Sequence, residues 1–245
     1  MKIDIIGRGH VASHLLEALN GRTDATIVNS RTLDGLRKDC DLYLISVSDD
    51  AIIEVASKAA ELIPGESVLA HTSGTTPMSV LDNMHEHIGV FYPLQTFTKG
   101  VKLKYSEIPF FLEGSDKLTE TVLEKTVTLI GAHSRFIDSS QRRELHIASV
   151  FSCNFINHLW CLADSYLREN GLDFSDLIPL IKETTAKIER VKPYEAQTGP
   201  AVRQDMKTIN SHMDKLEQYP GLKEIYSLLT KSIIDLHKRD NKLIP

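Results

Sequence analysis

The sequence is short of cysteine, of basic excess and of long apolar runs, and each shortage excludes a class of protein. Three cysteines in 245 residues (Cys40, Cys153 and Cys161) are too few and too scattered for a disulfide framework or a zinc knuckle. A formal net charge of −5 gives no electrostatic case for nucleic acid or an anionic membrane. No apolar run approaches the roughly 20 residues of a membrane-spanning helix. Met1-Lys2 passes directly into Ile3-Asp4-Ile5-Ile6-Gly7, too brief an apolar stretch for a signal peptide, so a cytoplasmic location is expected. The ten histidines are dispersed without metal-ligand spacing, and no metal is expected. What is present, 42% hydrophobic and 25% charged residues, suits one large globular domain or two modest ones.

The first 138 residues alternate short β-branched runs with amphipathic stretches, the pattern of βαβ units over a parallel sheet. Strands are expected at Lys2–Ile6, Ala25–Asn29, Asp41–Val47, Ser67–Ala70, Ile88–Phe91, Pro109–Glu113 and Ser134–Ile137. Helices are expected at Val11–Leu19, Ala51–Leu62 and Lys117–Ile130. From residue 139 to 245 helical periodicity takes over, at roughly Ser140–Asn170, Phe174–Val191, Arg203–Gln218 and Leu222–Arg239. The fold class is therefore α/β: an N-terminal Rossmann dinucleotide-binding domain (1–138) and a C-terminal all-helical domain (139–245). In the first long helix, Ile147, Val150, Phe151, Phe155, Ile156, Leu159, Trp160 and Leu162 cover nearly the whole circumference. A helix apolar on most sides is buried on most sides, either within its own domain or at the interface of a homodimer.

Gly7-Arg8-Gly9-His10-Val11-Ala12 falls between the first strand and the first helix, where a dinucleotide fingerprint belongs. Gly7 permits the tight turn, Gly9 lets the backbone approach a pyrophosphate, and Ala12 lets the helix pack on the strand. The anion then meets free N–H groups at the positive end of the helix. An NAD site usually offers a carboxylate at the end of the second strand. Here Asn29-Ser30-Arg31-Thr32 stands there instead, with no carboxylate before Asp34. Arg31 can pair with a 2′-phosphate, Ser30 and Thr32 can donate to it, and Arg8 lies near the same end. NADP is the expected cofactor, with NAD as the alternative if Arg31 is only a solvated cation.

Ligands in such sheets lie beyond the carboxyl ends of the strands. Those ends carry Ser46-Val47-Ser48-Asp49-Asp50, His71-Thr72-Ser73-Gly74-Thr75-Thr76 and Tyr92-Pro93-Leu94-Gln95-Thr96-Phe97. Asp49 or Asp50 could equally cap the helix at Ala51, and Ser73 or Thr75 the one after. His71 and Gln95 are candidate substrate contacts, and Arg203 could hold an anionic substrate while Asp205 orients it or enriches a helix N-terminus. On an ideal helix His146, Cys153 and Asn157 fall within about 20° of one line, with Asn154 about 80° round. They are either a substrate-polarising set or a polar network at a subunit interface.

Taken together, the Gly7–Ala12 turn, His71-Thr72-Ser73-Gly74, Pro93-Leu94-Gln95-Thr96-Phe97, His146 to Asn154 and Thr198-Gly199-Pro200 with Arg203 and Asp205 identify a resemblance. Over its whole length the chain resembles a family of bacterial proteins that join a Rossmann-like domain to a C-terminal domain of unknown function. More distantly it is similar to pyrroline-5-carboxylate reductase, ketopantoate reductase and the 6-phosphogluconate dehydrogenase-like group. Members of the family often carry histidine where this chain has Tyr92, which argues against an essential imidazole there. The wider group commonly places a lysine and an asparagine on the first long C-terminal helix. This helix offers His146 and Asn154 and no lysine. The resemblance implies an NADP-dependent oxidoreductase, dimeric through its helical domain, acting on a small, anionic carbonyl or imine compound such as the 2-oxo acid ketopantoate. In that reading His146 donates the proton, and Asn154 or Ser73 polarises the substrate. The competing reading is a dinucleotide-binding sensor without turnover.

Overall fold

The computed structural model describes residues 1–238, so Arg239, expected at the end of the last helix, lies outside the described residues. The chain divides into two compact units, Met1–Phe155 and Ile156–Pro245. The continuous stretch from Ser139 to Phe155 therefore counts with the sheet.

The first unit is built on β1 (Lys2–Ile6), β2 (Asp24–Val28), β3 (Leu42–Ile45), β4 (Val68–His71), β5 (His87–Pro93), β6 (Pro109–Gly114) and β7 (His133–Phe136). They form one seven-stranded sheet in the order β2-β1-β3-β4-β5-β6-β7. Alternation of side chains decides what each face buries. Ile3, Ile5, Leu42, Leu44, Val68 and Ala70 pack under α1 (His10–Leu19) and α3 (Lys117–Ile130). Ile6, Tyr43, Ile45 and Leu69 pack under α2 (Ile52–Ala60). With both faces covered, β1 and β3 are almost wholly buried, which is why they read as apolar runs.

The sheet departs from an all-parallel one at β5–β6, which pair antiparallel with Phe91 opposite Leu112. Residues 94–108, which join them, contain only a 3₁₀ turn, Tyr105–Glu107. The connection between β2 and β3 also lacks a helix and is tied down by charge instead. Buried Asp4 accepts from Thr26 Oγ1 (2.7 Å), from the Arg37 amide (2.8 Å) and from Arg37 Nε (2.8 Å). Arg37 also donates to the Ile3 carbonyl and pairs with Asp24. Breaking a buried pair of this kind costs about 3–5 kcal/mol, so the loop carrying Asn29–Thr32 is held firmly.

After β7, Asp138 and Gln141 form a capping box that starts α4 (Ser139–Ser149). The single helix expected from Ser140 to Asn170 is interrupted by a π-helical segment, Val150–Phe155, before α5 (Ile156–Glu169). One extra residue in a turn rotates the rest of the helix by about 100° against an ideal one, so the ideal-helix alignment of Cys153 with His146, and the angle to Asn154, do not hold.

The second unit contains α5, α6 (Ile178–Lys187), α7 (Pro193–Ala196), α8 (Met206–Lys215) and α9 (Pro220–Lys238), with 3₁₀ turns at Phe174–Leu177 and Leu216–Gln218. Asp205 caps α8 by accepting from Thr208 N (3.1 Å) and Thr208 Oγ1 (2.7 Å). Among its described residues only Ala201, Ile209 and Leu216 are buried hydrophobics, while Leu172, Leu180 and Leu228 are exposed.

Candidate functional site

In this strand order the chain moves from β1 outward to β2 and then back across to β3, so the loops after β1 and β3 diverge. A crevice opens where they part. The cleft found there has a volume of about 1140 Å³, above the roughly 300–1,000 Å³ of ordinary small-molecule sites. It is lined from the glycine turn (Arg8, Gly9, His10, Val11), the end of β2 (Asn29, Ser30, Arg31) and the end of β3 (Ser46, Val47, Ser48, Asp49). Ala51, Glu54, Val55 and Lys58 at and along α2, Thr72, Ser73 and Gly74 after β4, Gln95 and Phe97 after β5, and His146 of α4 complete it. From β2 to β5 the order spans four strand spacings of about 4.8 Å, or roughly 19 Å, an elongated cleft.

Two glycines are required for different reasons. Gly7 has φ +142°, and a Cβ there would lie 2.0 Å from the Ser46 carbonyl oxygen, so only glycine lets β1 leave the sheet beside β3. Its amide donates to the Val28 carbonyl (3.0 Å). Gly9 is the N-cap of α1, and a Cβ there would meet nothing within 4 Å. The space is the cleft itself. No side chain caps α1 and its first turn holds no acidic residue, so the N-terminal amides and the positive helix end are left for an anion. This cradle fits the pyrophosphate of a dinucleotide. At the end of β2, Arg31 and Arg8 are exposed, and neither makes an ion pair among the described residues. Asn29 Oδ1 accepts from the Arg31 amide (3.1 Å), shaping that turn.

The other expected residues divide clearly. Gly7 and Ala12 are buried behind the turn and support it. Thr32 is not among the lining residues, and its Oγ1 accepts from the Asp34 amide (3.3 Å). His71 is the last residue of β4 and fully buried, off the cleft wall. Its Nδ1 accepts from the Ser73 amide (3.2 Å), and burial, reinforced by the Arg142 guanidinium, pushes its pKa down to about 4. His71 is a neutral structural imidazole. Ser73 caps no helix. Its Oγ accepts from the Thr75 and Thr76 amides (3.1 and 2.9 Å) and donates to Thr76 Oγ1 (3.0 Å), closing the turn. Asp49 does not cap α2 either, because the turn Asp49–Ala51 has Ser48 as N-cap without a side-chain bond, and Asp49 accepts the Thr75 hydroxyl. Gln95 lines the cleft with Oε1 turned to the Thr96 amide (2.8 Å). Asn154 is exposed and is not a lining residue, and Arg203 is exposed on the second unit.

Residues that sequence reasoning passed over hold His146 in place. Arg142, one turn earlier on α4, is 1% exposed and pairs through Nη1 with Glu113 of β6. Its Nη2 donates to the Thr76 carbonyl (2.6 Å) and to Ser139 Oγ (3.2 Å), and Ser139 donates to Glu113 (2.7 Å). The Tyr92 hydroxyl lies 3.2 Å from His146 Nδ1. Gln141 three residues after Asp138 was the one local signal, as a capping box. Among the described residues no three His, Cys, Asp or Glu side chains gather to hold a metal, and no helix is long and apolar enough to cross a membrane.

The sequence profile of a domain of unknown function, DUF2520, matches residues 108–233. No curated protein matches the chain. Among solved structures, a Bacteroides fragilis protein provisionally named an NADP oxidoreductase is 33% identical, with TM-score 0.89 over 96% of this chain and 98% of that one. A Plasmodium falciparum pyrroline carboxylate reductase with NADP bound matches at 11% identity and TM-score 0.61, covering 96% and 98%. A Streptomyces aurantiacus imine reductase matches at 16% identity and TM-score 0.65, covering 98% and 94%. The last two likenesses concern the fold alone: a Rossmann-type unit followed by a helical one.

Proposed function

The chain belongs to the DUF2520 family, and from that premise we propose that it is an NADP-dependent oxidoreductase acting on a small carbonyl or imine compound with an anionic group. The observation that carries this reading is one cleft that combines an uncapped helix N-terminus behind Gly9, the arginines 8 and 31 beside the end of β2, and His146 in its wall. A bound nicotinamide dinucleotide would supply a hydride equivalent to the substrate carbon. The chain's own residues do the rest. Arg31, Arg8 and Ser30 receive the 2′-phosphate, the α1 amides receive the pyrophosphate, and Ser46, Val47 and Ser48 form the floor between them. When hydride reaches the carbon, the electron pair of the C=O or C=N π bond moves onto oxygen or nitrogen, and His146 supplies the proton that neutralises it, the ring being restored by a proton from solvent. Asn154 is assigned to the heteroatom. The reading includes a cytoplasmic homodimer joined through the helical region.

The test is cofactor binding and turnover together. Arg31→Ala should weaken NADPH by about 10–100-fold, the loss of a charge-assisted contact, and leave NADH nearly unchanged; equal losses refute the NADP preference. Consumption of NADPH with one of a panel of 2-oxo acids (ketopantoate among them) and cyclic imines, abolished in His146→Ala while NADPH still binds, is the expected result. One observation favours a second reading, a binding sensor: of the three proposed catalytic groups, only His146 both lines the cleft and keeps a polar atom without a partner among the described residues. Tight NADPH binding without turnover across the panel would establish it.

A further inference from the structure

Tyr92, the last residue but one of β5, is 9% exposed, and His146 reaches it from α4. The phenol oxygen and His146 Nδ1 are 3.2 Å apart. A buried phenolic hydrogen needs an acceptor, and among the described residues Nδ1 is the only hydrogen-bond partner of this hydroxyl. Were the imidazole to carry its proton on Nδ1, it would point at the phenol oxygen and leave the phenolic hydrogen stranded. Hydrogen-bond bookkeeping therefore selects one arrangement: Tyr92 donates, Nδ1 accepts, and the neutral ring carries its hydrogen on Nε2. Among the described residues Nε2 has no hydrogen-bond partner and, unlike His71 Nε2, is not enclosed. It is free in a residue of the cleft wall.

The neighbourhood is built for this contact. A Cβ on Gly74 would lie 2.7 Å from His146 Nδ1 and 2.8 Å from two Tyr92 ring carbons, so only glycine leaves the two rings room to meet. Arg142, locked to Glu113, fixes the helix one turn before His146. Burial raises the Tyr92 phenol above its usual range, against a smaller downward pull from Arg142, so it stays a protonated donor at neutral pH.

We propose that Tyr92 is a positioning residue that sets the tautomer of His146, presenting an Nε2–H donor to the substrate's oxygen or nitrogen. Its catalytic consequence rests on the oxidoreductase reading, but the tautomer does not. The experiment is nitrogen NMR of the full chain labelled in histidine, with His146→Gln assigning the resonance by its loss. The wild type should show Nε2 protonated and Nδ1 as acceptor. In Tyr92→Phe the Nδ1–H form should gain by about fivefold or more in the tautomer ratio, the factor one lost hydrogen bond produces. A wild-type His146 protonated on Nδ1, or a ratio that Tyr92→Phe leaves unmoved, overturns the proposal. If the variant does not fold, the wild-type spectrum alone decides. With an identified substrate, Tyr92→Phe should lower kcat while NADPH affinity holds. Absence of turnover in the wild type would sink the oxidoreductase reading and leave the tautomer assignment standing.

Discussion

The Glu113–Arg142 pair gives the sharpest stability test, because its two partners are unequally buried. Arg142 is 1% exposed whereas the Glu113 side chain is 16% exposed. Removing the carboxylate in Glu113→Ala strands a guanidinium that water reaches hardly at all, and takes the acceptor from Ser139 Oγ as well. An uncompensated buried charge costs about 3–5 kcal/mol. Removing the cation in Arg142→Met leaves a carboxylate that still accepts from Ser139 and touches solvent, plus one unsatisfied carbonyl at Thr76, a cost of about 1–3 kcal/mol. At about 2–4 °C per kcal/mol for a chain of this size, calorimetry should show Tm falling by roughly 6–20 °C for Glu113→Ala. For Arg142→Met the same scale gives a fall of roughly 2–12 °C. Glu113→Leu combined with Arg142→Met should be more stable than Glu113→Ala alone, since replacing a buried pair by apolar groups costs little. The reverse order of the single variants, or a Glu113→Ala loss below about 1 kcal/mol, would refute the claim that this pair anchors α4.

His71 predicts an acid limb. Its folded pKa of about 4, depressed by burial and by Arg142, lies below the roughly 6.5 of an unfolded histidine, so the unfolded chain binds the extra proton first. Stability is full above about pH 6.5 and falls toward pH 4, by up to roughly 3 kcal/mol; urea unfolding should show this slope, and His71→Asn, which keeps an acceptor for the Ser73 amide, should flatten it. An unchanged slope would assign the acid loss elsewhere. For the proposed homodimer, Phe151 is 64% exposed and stacks edge-on with Phe155. Sedimentation equilibrium should find a dimer that Phe151→Lys converts to monomer, and a wild-type monomer would reject that interface.

All seven strands were legible in the sequence to within two residues at each end, the largest differences being the early end of β3 and the extension of β5 through Pro93. Runs buried on both faces and bounded by turn residues carry that information locally. Strand direction does not: nothing in Pro109–Gly114 marks it as antiparallel to β5, and the absence of a helix before it does not decide the matter, since β4 and β5 pair parallel with only a 3₁₀ turn, Met78–Leu81, between them. The π segment was equally hidden, since Val150-Phe151-Ser152-Cys153-Asn154-Phe155 is as compatible with an α-helix. The same blind spot covers Arg142. A charged residue near a helix start reads as solvated, and only the approach of β6 turns it into the largest of the fully buried side chains.

Position 92 joins these points. Read along the chain, tyrosine there looked like the loss of an imidazole and argued against an essential imidazole at that place. In the fold, α4 brings an imidazole to Tyr92, and Gly74 keeps the space clear. Three segments distant in sequence, each with its own local reason to exist, form one donor only when the Arg142–Glu113 pair holds α4 against the sheet. Glycine at 74, a hydroxyl at 92 and the carboxylate at 113 should therefore couple to His146. Its tautomer should respond to all three, whereas cofactor binding at Gly9 and Arg31 should respond to neither Tyr92 nor Glu113.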